Sequence, residues 1–254
     1  MTGPIIRGLG QMWRKARKLA HLLPDPLFRH GLRHGVAAAV EHRRILEPLR
    51  GLGTVIDVGA HTGQFSLLAA RLFPDARIHA VEPLPAAATV YDRVFADAPV
   101  GRSRVTLHRA AAGKEPGMAA LHVSRRSDCS SLLPIGGGQV AFAPGSEAAG
   151  TVMVPVEPLD GLLPLDSLPR PILLKLDIQG GELDALRGAG RLLSLADHVY
   201  AEVSFVPLYE GQPLAPAIIA HLAGHGFGLA GVNTPSFGPA GGCVQADLLF
   251  RRTG

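Results

Sequence analysis

The chain has 254 residues, of which 47% are hydrophobic and 18% are charged. This length fits one large domain with or without an appendage, and the apolar fraction excludes global disorder. No run of about 18 residues lacks charge, Pro and Gly, so a transmembrane helix is not expected, nor is a secretory signal. Two cysteines without a Cys-x-x-Cys pair provide neither a disulfide framework nor a zinc site. We expect a reduced, cytoplasmic protein.

Positive charge is concentrated at one end of the chain. Met1–Arg50 contains 10 Lys/Arg and 3 Asp/Glu, whereas the remainder contains 15 and 18. A nucleic-acid-binding enzyme more often carries its basic stripe on the domain itself. No nucleic-acid partner is therefore expected.

The basic end contains a predicted amphipathic helix at Gln11–Leu23. Its apolar face consists of Met12, Leu19, Leu22 and Leu23. Three interpretations stay open: packing on the body or on a second subunit in a homodimer, peripheral contact with a membrane, and recognition of a phosphate or acid. Pro24-Asp25-Pro26 ends this helix, and a second helical stretch is predicted at Arg33–Leu49.

From Thr54 onward, predicted strands alternate with predicted helices, as is typical of a parallel sheet with crossover helices. The predicted strands are Thr54–Val58, Arg77–Val81, Arg104–Ala110, Ile172–Asp177, Val199–Phe205, Phe227–Val232 and Gln245–Phe250. The predicted helices are Thr62–Phe73, Pro85–Ala96, Gly181–Leu193 and Pro213–Gly224. The last two strands are expected to form a hairpin, which makes the final strand antiparallel.

Residues 113–150 interrupt this alternation. They are rich in Gly, Ser and Pro, and only Leu121–Ser124 has a clear strand pattern. We expect an insertion that forms a lid over the sheet. The predicted organisation is a basic helical extension at 1–50 followed by one domain at 51–254.

A glycine turn follows the first predicted strand, in the segment Asp57-Val58-Gly59-Ala60-His61-Thr62-Gly63. Glycine lets the backbone turn tightly and approach a ligand, and the helix start presents free N–H groups. The Gly-x-x-x-Gly spacing differs from the Gly-x-Gly-x-x-Gly of dinucleotide sites. An acidic residue such as Asp57 is unfavourable beside a pyrophosphate and favourable beside the cationic tail of S-adenosylmethionine. The turn therefore favours S-adenosylmethionine over NAD.

Carboxylates also follow three later strands. Glu82, at the end of the second strand, can accept hydrogen bonds from both ribose hydroxyls of a nucleoside. Asp177 and Glu182 follow the fourth strand and are expected to face the cleft. Glu202 lies inside an apolar run, where a carboxylate is costly unless it is paired or functional. Lys175 is a candidate partner for Asp177 or Glu202.

Together these residues resemble the FkbM family of S-adenosylmethionine-dependent methyltransferases. The matching segments are IDVGAHTGQFS (56–66), VEPLP (81–85), AAAGKEPGMAALHVS (110–124), SSLL (130–133), VEPLD (156–160), LLKLDIQGGELDALRGAG (173–190) and EVSFVPLYEGQPL (202–214). The resemblance covers about residues 50–235. It implies the class I methyltransferase fold, an α/β three-layer sandwich whose seven-stranded, mostly parallel sheet has an antiparallel last strand. The implied activity is methyl transfer to a hydroxyl of a sugar or natural product.

The resulting site prediction has two parts. The predicted cofactor-binding residues are Asp57, Gly59, Ala60, His61, Thr62, Gly63, Phe65, Glu82, Pro83, Ala111, Ser131 and Asp177. An alcohol nucleophile must lose its proton, and the candidate bases are Asp177, Glu202 and His61, with Asp177 first because its strand end should lie near the methyl group. We assign no metal ligand, although Asp177, Glu182 and Glu202 could form an oxygen site.

Two positions depart from the family pattern. Family members commonly have Asn at the position of His61 and Glu at the position of Gln179. Loss of the second carboxylate puts in doubt a metal or base role at that position. Three other functions stay open: a nucleotide-dependent oxidoreductase, a non-catalytic scaffold that binds S-adenosylmethionine, and a nucleic-acid methyltransferase.

Overall fold

The structure is a computed structural model that describes residues 18–100, 104–238 and 241–253. The strands are β1 (Thr54–Val58), β2 (Arg77–Val81), β3 (Val105–His108), β4 (Ala111–Ala112), β5 (Gly117–Ser124), β6 (Ala148–Glu157), β7 (Ile172–Leu176), β8 (His198–Ser204), β9 (Phe227–Phe237) and β10 (Cys243–Arg252). Seven of them form one sheet in the order β3-β2-β1-β7-β8-β10-β9. Only the pairings made by β10 in this sheet are antiparallel. This confirms the predicted mostly parallel sheet with an antiparallel last strand.

Helices cover both faces of this sheet. They are α1 (Pro26–Arg33), α2 (Arg43–Leu46), α3 (Gln64–Leu72), α4 (Pro85–Ala96), α5 (Gly137–Phe142), α6 (Leu159–Leu162), α7 (Glu182–Arg187), α8 (Gly190–Leu195) and α9 (Ala215–Gly224). Side chains of α3 and α4 fill the core on one face, and side chains of α7, α8 and α9 fill the core on the other. Every residue of β1 and β7 is buried, as expected of parallel strands covered on both faces.

Residues 18–50 contribute to the same core as the strands. Residues 18–22 are helical, and Leu22 is buried whereas Leu19 and Leu23 are exposed. Only part of the predicted apolar face is therefore covered, and the part of the predicted helix before residue 18 lies outside the described residues. No helix in the described ranges is long and apolar enough to cross a membrane.

The predicted helix Arg33–Leu49 is wrong. Asp25 caps α1, because its carboxylate accepts hydrogen bonds from the backbone N–H groups of Leu27 and Phe28. This helix ends before Gly35, whose φ of 76° is left-handed. The chain then runs without helix to a short 3₁₀ turn at Val40–His42. The residues between α1 and this turn, which were expected to be helical, are thus free to line a cavity.

The predicted helix Gly181–Leu193 is divided into α7 and α8 at Gly188. A Cβ atom at Gly188 would lie 2.1 Å from the carbonyl oxygen of Gly113, so the chain needs a glycine at this contact. The contact joins two segments that lie 75 residues apart in sequence. The periodicity of a local helical pattern gives no information about such a distant contact.

The insertion has more regular structure than its composition predicts. β5 pairs with β6 along its whole length, and β4 completes a second sheet in the order β4-β6-β5. The expectation that Leu121–Ser124 is the only strand piece there is wrong. Gly and Ala have low strand propensity, so the pairing partner rather than the local sequence decides this structure.

Candidate active site

The turn after β1 is held against the loop after β7. Gly59 has a φ of 76°, and a Cβ atom there would lie 1.9 Å from the carbonyl oxygen of Asp177. Gly63 has a φ of 99° and faces the rings of Tyr91 and Phe95. Both glycines therefore permit close contact between parts of the protein. The part of Gly59 and Gly63 in cofactor binding stays a prediction.

Beneath this turn, Asp57 forms a buried ion pair with Lys175. The Lys175 Nζ atom lies 2.9 Å from Asp57 Oδ1, and Ser66 Oγ donates to Asp57 Oδ2 at 2.7 Å. Asp57 has no exposed surface. Its contact with the cofactor stays a prediction. The predicted pairing of Lys175 with Asp177 or Glu202 is corrected, because Lys175 pairs with Asp57.

Lys175 joins the Asp57 carboxylate to the turn. Its Nζ also donates to the carbonyl oxygens of Val58 and Gly59, at 3.3 and 3.1 Å. Burial alone would lower the pKa of Lys175, but the charges of Asp57 and Asp177 outweigh it and raise the pKa above its usual value. Lys175 is therefore a fixed cation that sets the shape of the Gly59 turn.

Glu82 fixes the other side of the turn. Its Oε2 atom accepts a hydrogen bond from the His61 backbone N–H at 2.8 Å, and its Oε1 atom accepts one from the Leu84 N–H at 2.7 Å. Burial raises the pKa of Glu82 to about 7, against the lowering effect of these two N–H groups. Each carboxylate oxygen keeps a second lone pair, which is available to a ligand hydroxyl.

A cavity, which we call the roofed cavity, lies at the carboxyl ends of β1, β2 and β7 and encloses about 590 Å³, including space open to solvent. It is lined by Val58, Gly59, His61, Val81, Glu82, Pro83, Ala110, Ala111, Ala112, Leu121, Ser127, Asp128, Ser130, Ser131, Leu132, Asp177, Ile178, Gln179 and Gly181. The carboxyl edge of a parallel sheet is where ligands bind in open α/β folds.

The insertion supplies the roof of this cavity. His61 Nε2 lies 2.9 Å from Ser127 Oγ, which ties the turn after β1 to the roof. Ser131 Oγ donates to the Gln179 carbonyl oxygen at 2.8 Å and accepts from the Leu133 N–H at 2.9 Å. Ser131 therefore fastens the insertion to the loop after β7. Burial lowers the pKa of His61, which favours its neutral form.

Asp177 and Glu202 are bridged by one amide. Gln179 Nε2 donates to Asp177 Oδ1 at 2.8 Å and to Glu202 Oε2 at 3.1 Å. The Tyr209 hydroxyl donates to Gln179 Oε1 at 2.7 Å, which fixes the orientation of the amide. Burial and the charges of Asp177 and Asp247 raise the pKa of Glu202 well above its usual range. The role of Glu202 as a base stays a prediction.

Glu182 faces inward and not toward the cleft. Its carboxylate accepts hydrogen bonds from the backbone N–H groups of Ile178 and Gly180, at 2.9 and 3.0 Å, and thereby shapes the loop after β7. The expected cleft position of Glu182 is corrected, and with it the oxygen site that it would form with Asp177 and Glu202. Within the described ranges, no group of three His, Cys, Asp or Glu side chains is placed to hold a metal ion.

A second cavity, which we call the N-terminal cavity, lies between residues 35–42 and the sheet. It encloses about 1080 Å³, including space open to solvent. Its walls include Lys18, Gly35, Ala37, Ala39, Glu41, His42, Ala60, Gln64, Phe65 and Lys175. Four further residues, Gly59, His61, Asp128 and Asp177, line both cavities. The two cavities therefore adjoin at Asp177 and His61.

The predicted site residues fall into three groups. Gly59, His61, Glu82, Pro83, Ala111, Ser131 and Asp177 line the roofed cavity. Ala60 and Phe65 line only the N-terminal cavity. Asp57, Thr62, Gly63 and Glu202 line neither cavity of the described chain.

The sequence did not single out several residues of the site. Ser127 and Asp128 contribute to the roof, Tyr209 orients Gln179, and His42 lines the N-terminal cavity. Ser127 and Asp128 lie in the insertion that is expected to cover the sheet. Two neighbouring polar side chains in such an insertion were a usable sequence signal of a position at the site. Tyr209 lies in the segment 202–214 that carries the family resemblance, so that segment was a usable signal, whereas no local pattern marks His42.

Comparisons with known proteins agree with this geometry. Residues 57–229 match the family model of the methyltransferase FkbM domain. The chain is similar to the 2-O-methyltransferase NoeI of Sinorhizobium fredii, with 27% identity over 238 residues, which is 89% of this chain and 90% of that protein.

Among solved structures, it is similar to a methyltransferase FkbM from Methylobacillus flagellatus, with a TM-score of 0.50 and 17% identity. That alignment covers 78% of this chain and 43% of the solved chain, so the present chain spans less than half of that protein. At this identity, the likeness concerns the fold alone.

Proposed function

Because the chain belongs to the family of the methyltransferase FkbM domain, we propose that this methyltransferase transfers a methyl group from S-adenosylmethionine to a hydroxyl of a sugar or another small molecule. The observation that carries the proposal is Asp177, which lines both adjoining cavities. One cavity would hold the cofactor and the other the acceptor. The similarity to a 2-O-methyltransferase supports oxygen as the methylated atom.

The roofed cavity has the donor set that an adenosine moiety requires. Glu82 presents a free lone pair on each carboxylate oxygen, which suits the two ribose hydroxyls. Leu121 and Leu132 provide apolar walls, and Ser130 and Asp128 provide polar groups. Apolar walls with a few convergent polar groups are typical of cofactor binding. Asp57 would contribute to cofactor binding indirectly, by holding Lys175, and not by contact with the cofactor.

The chemistry would be an in-line displacement, in which S-adenosylmethionine supplies an electrophilic methyl group. The protein's main task is to position the acceptor hydroxyl. Asp177 is the proposed base, because its carboxylate lies where the two cavities adjoin and Gln179 fixes its orientation. His61 lies at the same boundary and stays a candidate that contacts the cofactor or the acceptor.

Calorimetric titration tests this proposal at the cofactor. S-adenosylmethionine and S-adenosylhomocysteine are expected to bind with Kd values on the order of micromolar, and NAD⁺ is expected not to bind. Methyl transfer to a hydroxyl-bearing acceptor should accompany this binding. Binding of NAD⁺ alone would favour the oxidoreductase, and binding without transfer to any acceptor would favour the scaffold.

The affinity for S-adenosylhomocysteine should depend on the ionisation of Glu82. A carboxylate that accepts ribose hydroxyls binds better when ionised, and the pKa of Glu82 is about 7. Affinity is therefore expected to be full above pH 7 and to fall below it, by up to about tenfold per pH unit. Burial lowers the pKa of His61, which moves its titration toward the acid end of this window. Calorimetry between pH 6 and 8 measures the dependence.

The variant Glu82→Gln should bind S-adenosylhomocysteine about tenfold more weakly, with little change between pH 6 and 8. Glu210→Gln is the matched control, because Glu210 is exposed and lines neither cavity of the described chain. An E82Q protein that keeps the pH dependence of the wild type would remove the assigned role of Glu82.

A further inference from the structure

The N-terminal cavity contains a histidine with an unusual set of neighbours. His42 Nδ1 lies 2.8 Å from the Tyr200 hydroxyl and 3.4 Å from Asp247 Oδ2. Tyr200 and Asp247 are both buried, and they come from the neighbouring strands β8 and β10. His42 comes from the segment before the first strand. The cluster therefore joins the N-terminal segment to the sheet at the wall of the cavity.

The hydrogen bonds of this cluster fix the tautomer of His42. Asn233 Nδ2 donates to the Tyr200 oxygen at 3.0 Å, and Thr234 Oγ1 donates to the Asp247 carboxylate. The Tyr200 hydroxyl uses its own proton in a hydrogen bond to Asp247, since a carboxylate only accepts hydrogen bonds. In neutral His42 the proton therefore belongs on Nδ1, beside the Tyr200 oxygen and Asp247. This leaves a lone pair on Nε2, for which no partner is found among the described residues.

Such a cluster is costly to bury unless its polar groups are satisfied or used. Each of its groups has a partner within the cluster except His42 Nε2. His42 lines the N-terminal cavity, which adjoins the roofed cavity at Asp177. A hydroxyl placed in the N-terminal cavity could donate to His42 while another lies at Asp177.

The charges around the N-terminal cavity restrict the acceptor. Its two lining lysines are paired with carboxylates: Lys18 with Glu41 at 3.0 Å and Lys175 with Asp57 at 2.9 Å. Asp177 adds a negative charge at the boundary. Among the described residues, the cavity thus offers no unpaired cation to a phosphate or carboxylate. The lining favours a neutral molecule that carries several hydroxyl groups.

We propose that the N-terminal cavity binds a neutral polyhydroxylated acceptor, a glycoside, and that His42 accepts a hydrogen bond from a hydroxyl adjacent to the one methylated. This inference rests on the proposed function and adds the acceptor site, its class of ligand and a specificity residue. Gly35, Ala37 and Ala39 have small side chains and leave room for a sugar ring.

In the transfer, the acceptor oxygen forms a bond to the methyl carbon. The bond from that carbon to sulfur breaks, and its electron pair moves to sulfur, which becomes a neutral thioether. The hydroxyl proton passes to the Asp177 carboxylate. His42 keeps its proton on Nδ1 and holds the neighbouring hydroxyl, so it does not exchange a proton in the step.

The first experiment measures methyl transfer from labelled S-adenosylmethionine to three acceptor classes. These are methyl glycosides of common hexoses and 6-deoxyhexoses, the corresponding sugar phosphates, and catechol. Transfer to neutral glycosides in preference to the other two classes is expected. Transfer only to sugar phosphates or catechol, or transfer to none of the three while S-adenosylhomocysteine binds, would overturn the proposal. The cofactor part of the proposed function would then stand, whereas absent cofactor binding would overturn both.

The second experiment uses the variant His42→Asn with the best glycoside from the panel. The Asn amide can replace the Nδ1–H donor but lacks the Nε2 lone pair, so folding should be preserved. KM for the glycoside is expected to rise about tenfold, while kcat and the affinity for S-adenosylhomocysteine change little. His34→Asn is the control, because His34 is exposed and lines neither cavity of the described chain. An unchanged KM in H42N, or a loss confined to kcat, would contradict the role of His42.

Discussion

Replacement of Asp177 with Asn is expected to lower kcat about 100- to 10 000-fold, the range that general bases contribute. The proposed base lies where the two cavities adjoin, and the amide of Asn cannot take up the hydroxyl proton. Affinity for S-adenosylhomocysteine should change little, since Glu82 and the roof are untouched. Steady-state transfer and calorimetry on the same preparation measure the two quantities.

The control for this variant is Asp184→Asn. Asp184 is exposed on α7, where it pairs with Arg187 at 3.0 Å, and it lines neither cavity of the described chain. D184N should keep the wild-type kcat. If D177N turned over at the rate of D184N, Asp177 could not be the base, and His61 would be the next residue to replace.

Replacement of Lys175 with Met is expected to lower the free energy of unfolding by about 3–5 kcal/mol, the cost of leaving a buried charge without its partner. Asp57 has no exposed surface, and Ser66 alone would remain to donate to its carboxylate. The loss should also loosen the turn, because Lys175 donates to the carbonyl oxygens of Val58 and Gly59. Urea denaturation measures the free energy of unfolding.

Two further variants separate the charge effect from simple loss of packing. Lys114→Met removes an exposed lysine that pairs with Glu115 at 3.2 Å, and its cost should stay below about 1 kcal/mol. The double variant D57N/K175M removes both buried charges and should recover much of the stability that K175M loses. It also serves as the measurable protein if K175M does not fold. Equal stability of K175M and K114M would rule out the buried pair as a source of stability.

Local patterns in the sequence were sufficient for most of the main sheet. β1, β2 and β7 are runs of apolar or β-branched residues between turns. Such runs favour strands whatever other segments pack against them. The family resemblance, carried by segments such as 56–66 and 173–190, identified the methyltransferase fold before any contact was known. Glu82 and Asp177 were found because each lies at a predicted strand end.

The partners of these residues depended on packing between distant segments. The motif predicts a contact of Asp57 with the cofactor because the sequence shows its distance to Gly59 and not its distance to Lys175. Asp57 and Lys175 are 118 positions apart in sequence. Their side chains meet because β1 and β7 are neighbours in the sheet. Likewise the second sheet of the insertion exists because β6 pairs with β5.

The sequence alone thus determined the strands of the main sheet, the family and the edge of the sheet where the candidate site lies. These depend on short-range periodicity and on glycines and carboxylates at fixed positions in a motif. Only the tertiary structure decided which carboxylates face a cavity and which are buried. That outcome depends on the side chains that packing brings together, as when His42 reaches Asp247 from the opposite end of the chain.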